Sequence, residues 1–184
     1  CWIKTAGRIK DHNPYHTDIC RVNIDTGQLT PVTTTDHEYV GHGLKSFMPL
    51  YSTETCVSSS HQHVVATRSR IDEMSVLILF DREGNILREV ESADSSALPA
   101  NWQWPSITRT IAADDSSEII GMIFRPSDFS PNQSYPILDF SNALMSEPVS
   151  AFDLSLYLEA AALAELGFIV VKFFNRALFG YRSK

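Results

Sequence analysis

Along residues 1–95 the apolar positions come in short stretches that alternate with polar ones and are cut by turn residues. That is the two-residue rhythm of half-buried strands, not the rhythm of about 3.6 residues that marks a helix. Ile19 to Ile24 alternates into Asp25-Thr26-Gly27-Gln28 and resumes from Leu29 to Thr34. Ser75 to Phe80 runs into Asp81-Arg82-Glu83-Gly84-Asn85 and resumes from Ile86 to Val90. Each predicts a strand, a glycine-containing turn and a strand. Between them, Val64 to Ser69 predicts another strand, entered through a polar turn at Ser58 to His63.

The two hairpins match in type, "RVNIDTGQLTPVT" against "LILFDREGNILREV", with their turn aspartates Asp25 and Asp81 56 residues apart. A repeat of this length, built of strands joined by tight turns, points to blades of a β-propeller. The first region, residues 1–95, is therefore expected to be propeller blades.

From about Ser96 the pattern changes. "ALPANWQWP", residues 97–105, is a connector rich in proline and tryptophan. Trp102 and Trp104 alternate, so both fall on one face of an extended segment, where an aromatic pair anchors by burial. Ile107 to Ala113 and Glu118 to Phe124 predict a hairpin around Asp114-Asp115-Ser116-Ser117, whose acidic pair is ordinary turn chemistry. Pro136 to Phe140 predicts a short buried strand, and Ser150 to Leu166 a helix with Ser150 and Asp153 at its start and Gly167 as its stop. Phe168 to Phe174, "FIVVKFF", predicts a strand buried on both faces. Strand, helix and strand in this order require a parallel pair with a right-handed crossover. The fold class is thus mixed: β-propeller blades followed, over residues 96–184, by a βαβ unit.

Composition narrows the partners. Of 184 residues 43% are apolar and 20% charged, which is ordinary for a chain that buries a core. The net charge of −7, with 15 scattered Lys and Arg, argues against nucleic acid as the main partner, and none is expected. No apolar run approaches the ~20 residues needed to span a bilayer, so no membrane segment is expected. Cys1, Cys20 and Cys56 lie too far apart for a zinc knuckle or a disulfide framework. His37, His42, His61 and His63 could be tried as a metal set, but no carboxylate or cysteine completes a recognisable spacing, and they read as solvated turn residues. No metal and no cofactor is expected. The chain starts at Cys1 without a leader pattern, and the sequence assigns no compartment.

Taken together, the blade-like hairpins, the linker "NWQWP", "EIIGMIFRPSDFSPNQSYPILDF" and "AAALAELGFIVV" followed by Asn175-Arg176 resemble the prolyl oligopeptidase family of serine peptidases, in its dipeptidyl-peptidase and acylaminoacyl-peptidase branches. The most specific pieces are Tyr135-Pro136 before one strand and Leu163 to Phe168 before the next. The resemblance covers essentially the whole chain. It implies a propeller covering an α/β-hydrolase domain, hydrolysis of short peptides through an acyl-enzyme, and a peptide substrate in a full-length parent. Gly-x-Ser-x-Gly occurs nowhere in the sequence, so the resemblance also implies that the catalytic Ser, Asp and His lie outside the chain, an excerpt that is itself inactive.

Two family motifs are altered. Where the resemblance expects a Tyr-Gly-Gly-Pro turn whose tyrosine helps hold the oxyanion, the chain reads Ser141-Asn142-Ala143-Leu144, leaving Ser141 and Asn142 as oxyanion-loop candidates against the plainer reading of a surface loop. Where it expects Asp-x-Arg-Gly, the chain has Phe174-Asn175-Arg176-Ala177. Arg176 alone is kept, as a structural tie or a substrate contact. These departures motivate an alternative, a non-catalytic homologue acting as a protein-binding module. Open strand edges in such a piece favour association, so a second copy of the chain is a further expected partner.

Overall fold

The computed structural model describes residues 1–41, 56–96, 98–112, 114, 116, 118–141, 151–152 and 154–173. The chain is mostly β-sheet, and it divides into two compact units, Cys1–Asp94 and Ser95–Lys184.

In the first unit, β1 (Trp2–Ala6), β2 (Thr17–Val22) and β3 (Leu29–Pro31) form an antiparallel sheet in the order β1-β2-β3. β4 (Glu38–Gly41), β5 (Cys56–Val57), β6 (His63–Arg70), β7 (Glu73–Asp81) and β8 (Ile86–Ser92) form the second, also antiparallel. β4 and β5 share one edge of β6: Gly41 pairs with Ala66 and Cys56 with Val65, so the two short strands continue one line of pairing. The sheets pack face to face in a propeller-like manner. The alternation read from the sequence puts Val64 and Ala66 of β6 and Ile78 and Phe80 of β7 on the inner face, where they meet Ile19, Val32 and Tyr39, all at most 2% exposed. Fully burying an aliphatic or aromatic side chain of this size stabilises by about 1.5–3 kcal/mol each, and this seam supplies the unit's largest favourable contribution. β8 lies at the sheet edge with every residue exposed, Ile86, Leu87 and Val90 included.

The two hairpin turns are organised differently from the sequence expectation. Asp81 does hold the second turn: one carboxylate oxygen accepts the N–H groups of Glu83 and Asn85, and the other accepts from the Asn85 amide. In the first turn that role falls not to Asp25 but to Asn23, whose side-chain oxygen accepts the N–H groups of Asp25 and Thr26. The structural equivalence therefore pairs Asp81 with Asn23, two residues before Asp25. It belongs to the residue that closes the first strand, from which a short polar side chain can reach forward to the turn's N–H groups.

In the second unit, β9 (Ser106–Ile111) and β10 (Glu118–Phe124) form the expected hairpin. β11 (Ile137–Asp139), α1 (Leu154–Glu165) and β12 (Ile169–Phe173) make the expected βαβ unit, with β11 and β12 parallel. The sheet order is β11-β12-β10-β9, so β12 pairs in parallel with β11 and antiparallel with β10. The proposed helix caps Ser150 and Asp153 lie outside the described residues. α1 buries Tyr157, Ala160 and Ala164, an i, i+3, i+7 stripe, and packs on β10 and β12. It ends at Gly167, which takes φ +94 and donates its N–H to Ala164 O at 2.8 Å.

Two expectations fail here. β11 is not a buried strand: Ile137 is 69% exposed and Asp139 is exposed as well. β12 is not buried on both faces: Val170 is fully buried, while Ile169, Val171, Lys172 and Phe173 remain partly exposed. The apolar run had been matched to a strand covered by helices on both sides. In this unit one helix, α1, packs on the strand among the described residues.

Gly84 joins the two sheets of the first unit. It has φ +92, and a Cβ there would overlap the backbone carbonyl oxygen of Val32. Gly27, with φ +69, has open space around it. Gly84→Ala should therefore cost about 3 kcal/mol of unfolding free energy, from the left-handed backbone and the displaced Val32, and Gly27→Ala about 1 kcal/mol. Denaturant unfolding of the two variants checks the ordering, and equal losses would refute the contact.

Candidate functional site

In open sheets carrying parallel strands, chemistry collects at the carboxyl ends of those strands. Here that edge follows Asp139 and Phe173. Ser141 is central to it. Its N–H donates to Asp139 Oδ1 at 2.9 Å, and its hydroxyl oxygen accepts the N–H of Phe173 at 2.8 Å. The Ser141 hydroxyl, together with its N–H, holds the Asp139 carboxyl below its ordinary range. Phe140 N–H bonds Val171 O at 2.8 Å. The result is a staple across the ends of β11 and β12 in which Ser141 fixes where the following loop begins. Asn142 and Arg176, the other candidates at this edge, lie outside the described residues.

A second polar centre was not singled out by the sequence reading. The segment "DHNPYHTD", residues 11–18, carries two histidines, an asparagine and two aspartates between β1 and β2, and that density was the available signal. His16 is 2% exposed and donates from Nδ1 to Asp36 Oδ1 at 2.7 Å. Asp36 also accepts Asn13 N–H at 2.7 Å, and Asn13 in turn accepts Tyr15 N–H through its side chain. Burial works against the Asp36 charge, but the donors from Asn13 and His16 outweigh it, and the carboxyl is held below its ordinary range. Burial pushes the His16 pKa down. Thr17 N–H donates to Glu38 at 2.6 Å. These bonds tie the β1–β2 connection to residues 36–38.

Asp18 is the exception within this centre. Its side chain is 1% exposed, and its contacts are a long bond of 3.4 Å from the Thr33 hydroxyl and His12 Nδ1 at 3.7 Å, beyond hydrogen-bond reach. His12 Nδ1 has no hydrogen-bond partner. Desolvation dominates, and the Asp18 carboxyl is pushed up to about 6.

Of the four histidines tried as a metal set, the three within the described residues have separate surroundings. His37 Nε2 bonds Glu73 at 2.8 Å and its Nδ1 meets Thr35. His61 sits in a turn at φ +56, and exposed His63 opens β6. His42 lies outside the described residues. Among the described residues no three potential ligands converge, and no helix is long and apolar enough to cross a membrane.

The tryptophans of the connector pack where the alternation placed them, together. Trp102 and Trp104 meet edge-on at 6.1 Å, both contact Phe152, and Phe152 reaches Tyr157, which lies against Phe124. Residues 102–104 are thereby fastened to α1 and the end of β10.

The sequence matches no protein-family model and no curated protein. By fold it is similar to a solved structure described as a "putative dipeptidyl aminopeptidase IV from Bacteroides ovatus", at 17% identity and a TM-score of 0.65. The likeness covers 88% of this chain and 22% of that protein, so the chain spans about a fifth of its structural relative.

The Asp18 environment gives a pH dependence of defined sign. A carboxyl that binds its proton more tightly when folded stabilises the fold fully below its ordinary value of 3.8, and that stabilisation is lost as pH rises through about 6. Asp18→Asn removes the titration. The stability of the variant relative to the wild type should therefore rise by about 2 kcal/mol between roughly pH 4 and pH 7.5. The depressed His16 titrates with the opposite sign, but in both proteins, and cancels in the difference. Urea unfolding at several pH values checks this, and a difference that does not change with pH refutes it.

Proposed function

We propose that this chain is a segment of a serine-type peptidase of the prolyl oligopeptidase class that hydrolyses short peptides. On this reading residues 1–95 are propeller blades and residues 96–184 open an α/β-hydrolase domain. The observation that carries the reading is the order of parts. Antiparallel, face-to-face sheets precede a sheet with a βαβ unit, and the fold likeness to the Bacteroides protein runs through 88% of the chain. The Ser141 staple sits at the carboxyl ends of β11 and β12, where a hydrolase sheet carries its reacting groups. In this proposal Ser141 positions the loop in which Asn142 follows as an oxyanion donor, and Arg176 ties or contacts substrate at the neighbouring strand end. The nucleophile is supplied from outside these residues, since no Gly-x-Ser-x-Gly is present.

One specific observation favours a second reading, a binding module on the same scaffold. The Ser141 N–H and hydroxyl are already engaged by Asp139 and Phe173, and the glycines and tyrosine of the family turn are missing.

The two readings separate by experiment. The 184 residues alone should not turn over a chromogenic dipeptide anilide. The reading frame continued past Lys184 should contain Gly-x-Ser-x-Gly, and its product should cleave the anilide and take a fluorophosphonate label on that serine. Serine-to-alanine substitution should lower the rate by more than about a thousandfold. A continued frame without the motif, or a folded product that neither cleaves nor labels, overturns the peptidase in favour of the binding module.

A further inference from the structure

The polar centre between β1 and β2 holds two buried groups that the bonds around it leave incomplete, and the two face each other. Among the described residues the Asp18 side chain, 1% exposed, takes one hydrogen bond, the long one from Thr33. His12 enters from the connection at 12% exposure, directly after Asp11, whose φ of +68 lies in the left-handed region. Its Nδ1 is buried without a hydrogen-bond partner and stands 3.7 Å from Asp18 Oδ1. That spacing decides the state of the pair. A proton between the two atoms makes a charge-assisted hydrogen bond, which closes to about 2.7–2.9 Å. At 3.7 Å no such proton is held, and two acceptors confront one another out of water. One proton removes both deficits, because a donor then faces an acceptor and the buried pair carries no net charge.

The neighbours leave that proton to this pair. The other titratable groups around Asp18 are Asp36 from the β3–β4 connection, Cys20 from β2 itself and Tyr39 from β4. Asp36 is committed to Asn13 and His16 and stays ionised, so its charge favours a proton on Asp18. Burial holds the Cys20 thiol and the Tyr39 hydroxyl above their ordinary values, and both remain neutral. His16 has spent its Nδ1 on Asp36, and burial, with His37 and Arg70 opposing a further charge, pushes its pKa down. Glu38 is engaged by Thr17 N–H.

We propose that His12 and Asp18 form a proton-operated latch: when the pair takes up one proton, His12 Nδ1 and Asp18 Oδ1 bond and fasten the β1–β2 connection onto β2, and when the proton leaves, that connection opens more readily. The latch closes on acidification. Asp18 binds its proton more tightly in the folded chain, its carboxyl being pushed up to about 6 by burial, so the fastened state is complete below the ordinary value of 3.8 and is lost as pH rises through about 6. The device does not depend on the peptidase reading.

Hydrogen exchange of the Tyr15 and His16 N–H groups, both bonded to Asn13 within the connection, reads the latch. After division by the intrinsic exchange rates, their protection in the unaltered chain should be about tenfold or more higher at roughly pH 5 than at pH 7.5. Asp18→Asn offers His12 Nδ1 an amide donor at every pH, and should hold that protection at its high value throughout. His12→Phe keeps a ring at the position, leaves the Asp18 carboxyl in place and should abolish the pH dependence. The unaltered chain is compared with itself, so that measurement needs no variant to fold. Protection of Tyr15 and His16 that does not change with pH, or a change that persists undiminished in a folded His12→Phe chain, overturns the proposal.

Discussion

β12 is hydrogen-bonded along both edges, in parallel to β11 and antiparallel to β10, and the second unit is arranged around that constraint. A parallel partner cannot be reached by a tight turn, so the chain between β11 and β12 has to cross over, and α1 is the crossing. Gly167 reverses the chain at the end of the helix, Ile169 N–H donates to Pro136 O, and the strand begins in register. Because β11 and β12 point the same way, their carboxyl ends fall side by side, and Ser141 can accept the N–H of Phe173 across a separation of 32 residues. The candidate edge is thus a consequence of strand direction before it is a matter of any particular side chain.

Much of this was legible in the sequence because it depends on local rhythm. Val64 to Ser69 and Ser75 to Phe80 read correctly as strands, and the turn residues between β7 and β8 marked their hairpin. The helix was readable from its alanine and leucine content and from Gly167. The unreadable parts are relations between distant segments. That β4 and β5 continue a single line against β6 is a fact of register, set by Ala66 and Val65, across an interval of sequence with no periodic trace of it. The burial of β12 misread for the same reason: hydrophobicity says what a strand can tolerate, and packing partners decide what covers it.

The candidate site divides the same way. Ser141 was found from its place after a strand, yet the partners that engage it, Asp139 and Phe173, are tertiary findings. The centre around Asp18 was passed over because an aspartate in "HTDIC" reads equally well as an exposed strand residue until β3 and the residues after it close over it. Thr33 is itself 1% exposed and donates to Asp18, while its oxygen accepts the N–H of Ile19 at 3.0 Å. One hydroxyl thus serves two neighbouring groups of β2, and Asp18 receives the weaker share.

Three polar groups, two of them buried and the Asp36 carboxylate partly so, then show three answers to one physical demand, that a polar atom removed from water must find a partner. Asp36 answers with donors from Asn13 and His16 and stays ionised. Asp18, given one long hydrogen bond, answers by holding its proton up to about pH 6. Trp102 has neither course: an indole N–H cannot be removed by titration, and among the described residues no acceptor bonds to it. Packing explains why the ring is there, since it fastens the connector to Phe152, but packing alone would equally accept a phenylalanine. What distinguishes tryptophan at this position is the N–H, which stays buried without a hydrogen-bond partner among the described residues.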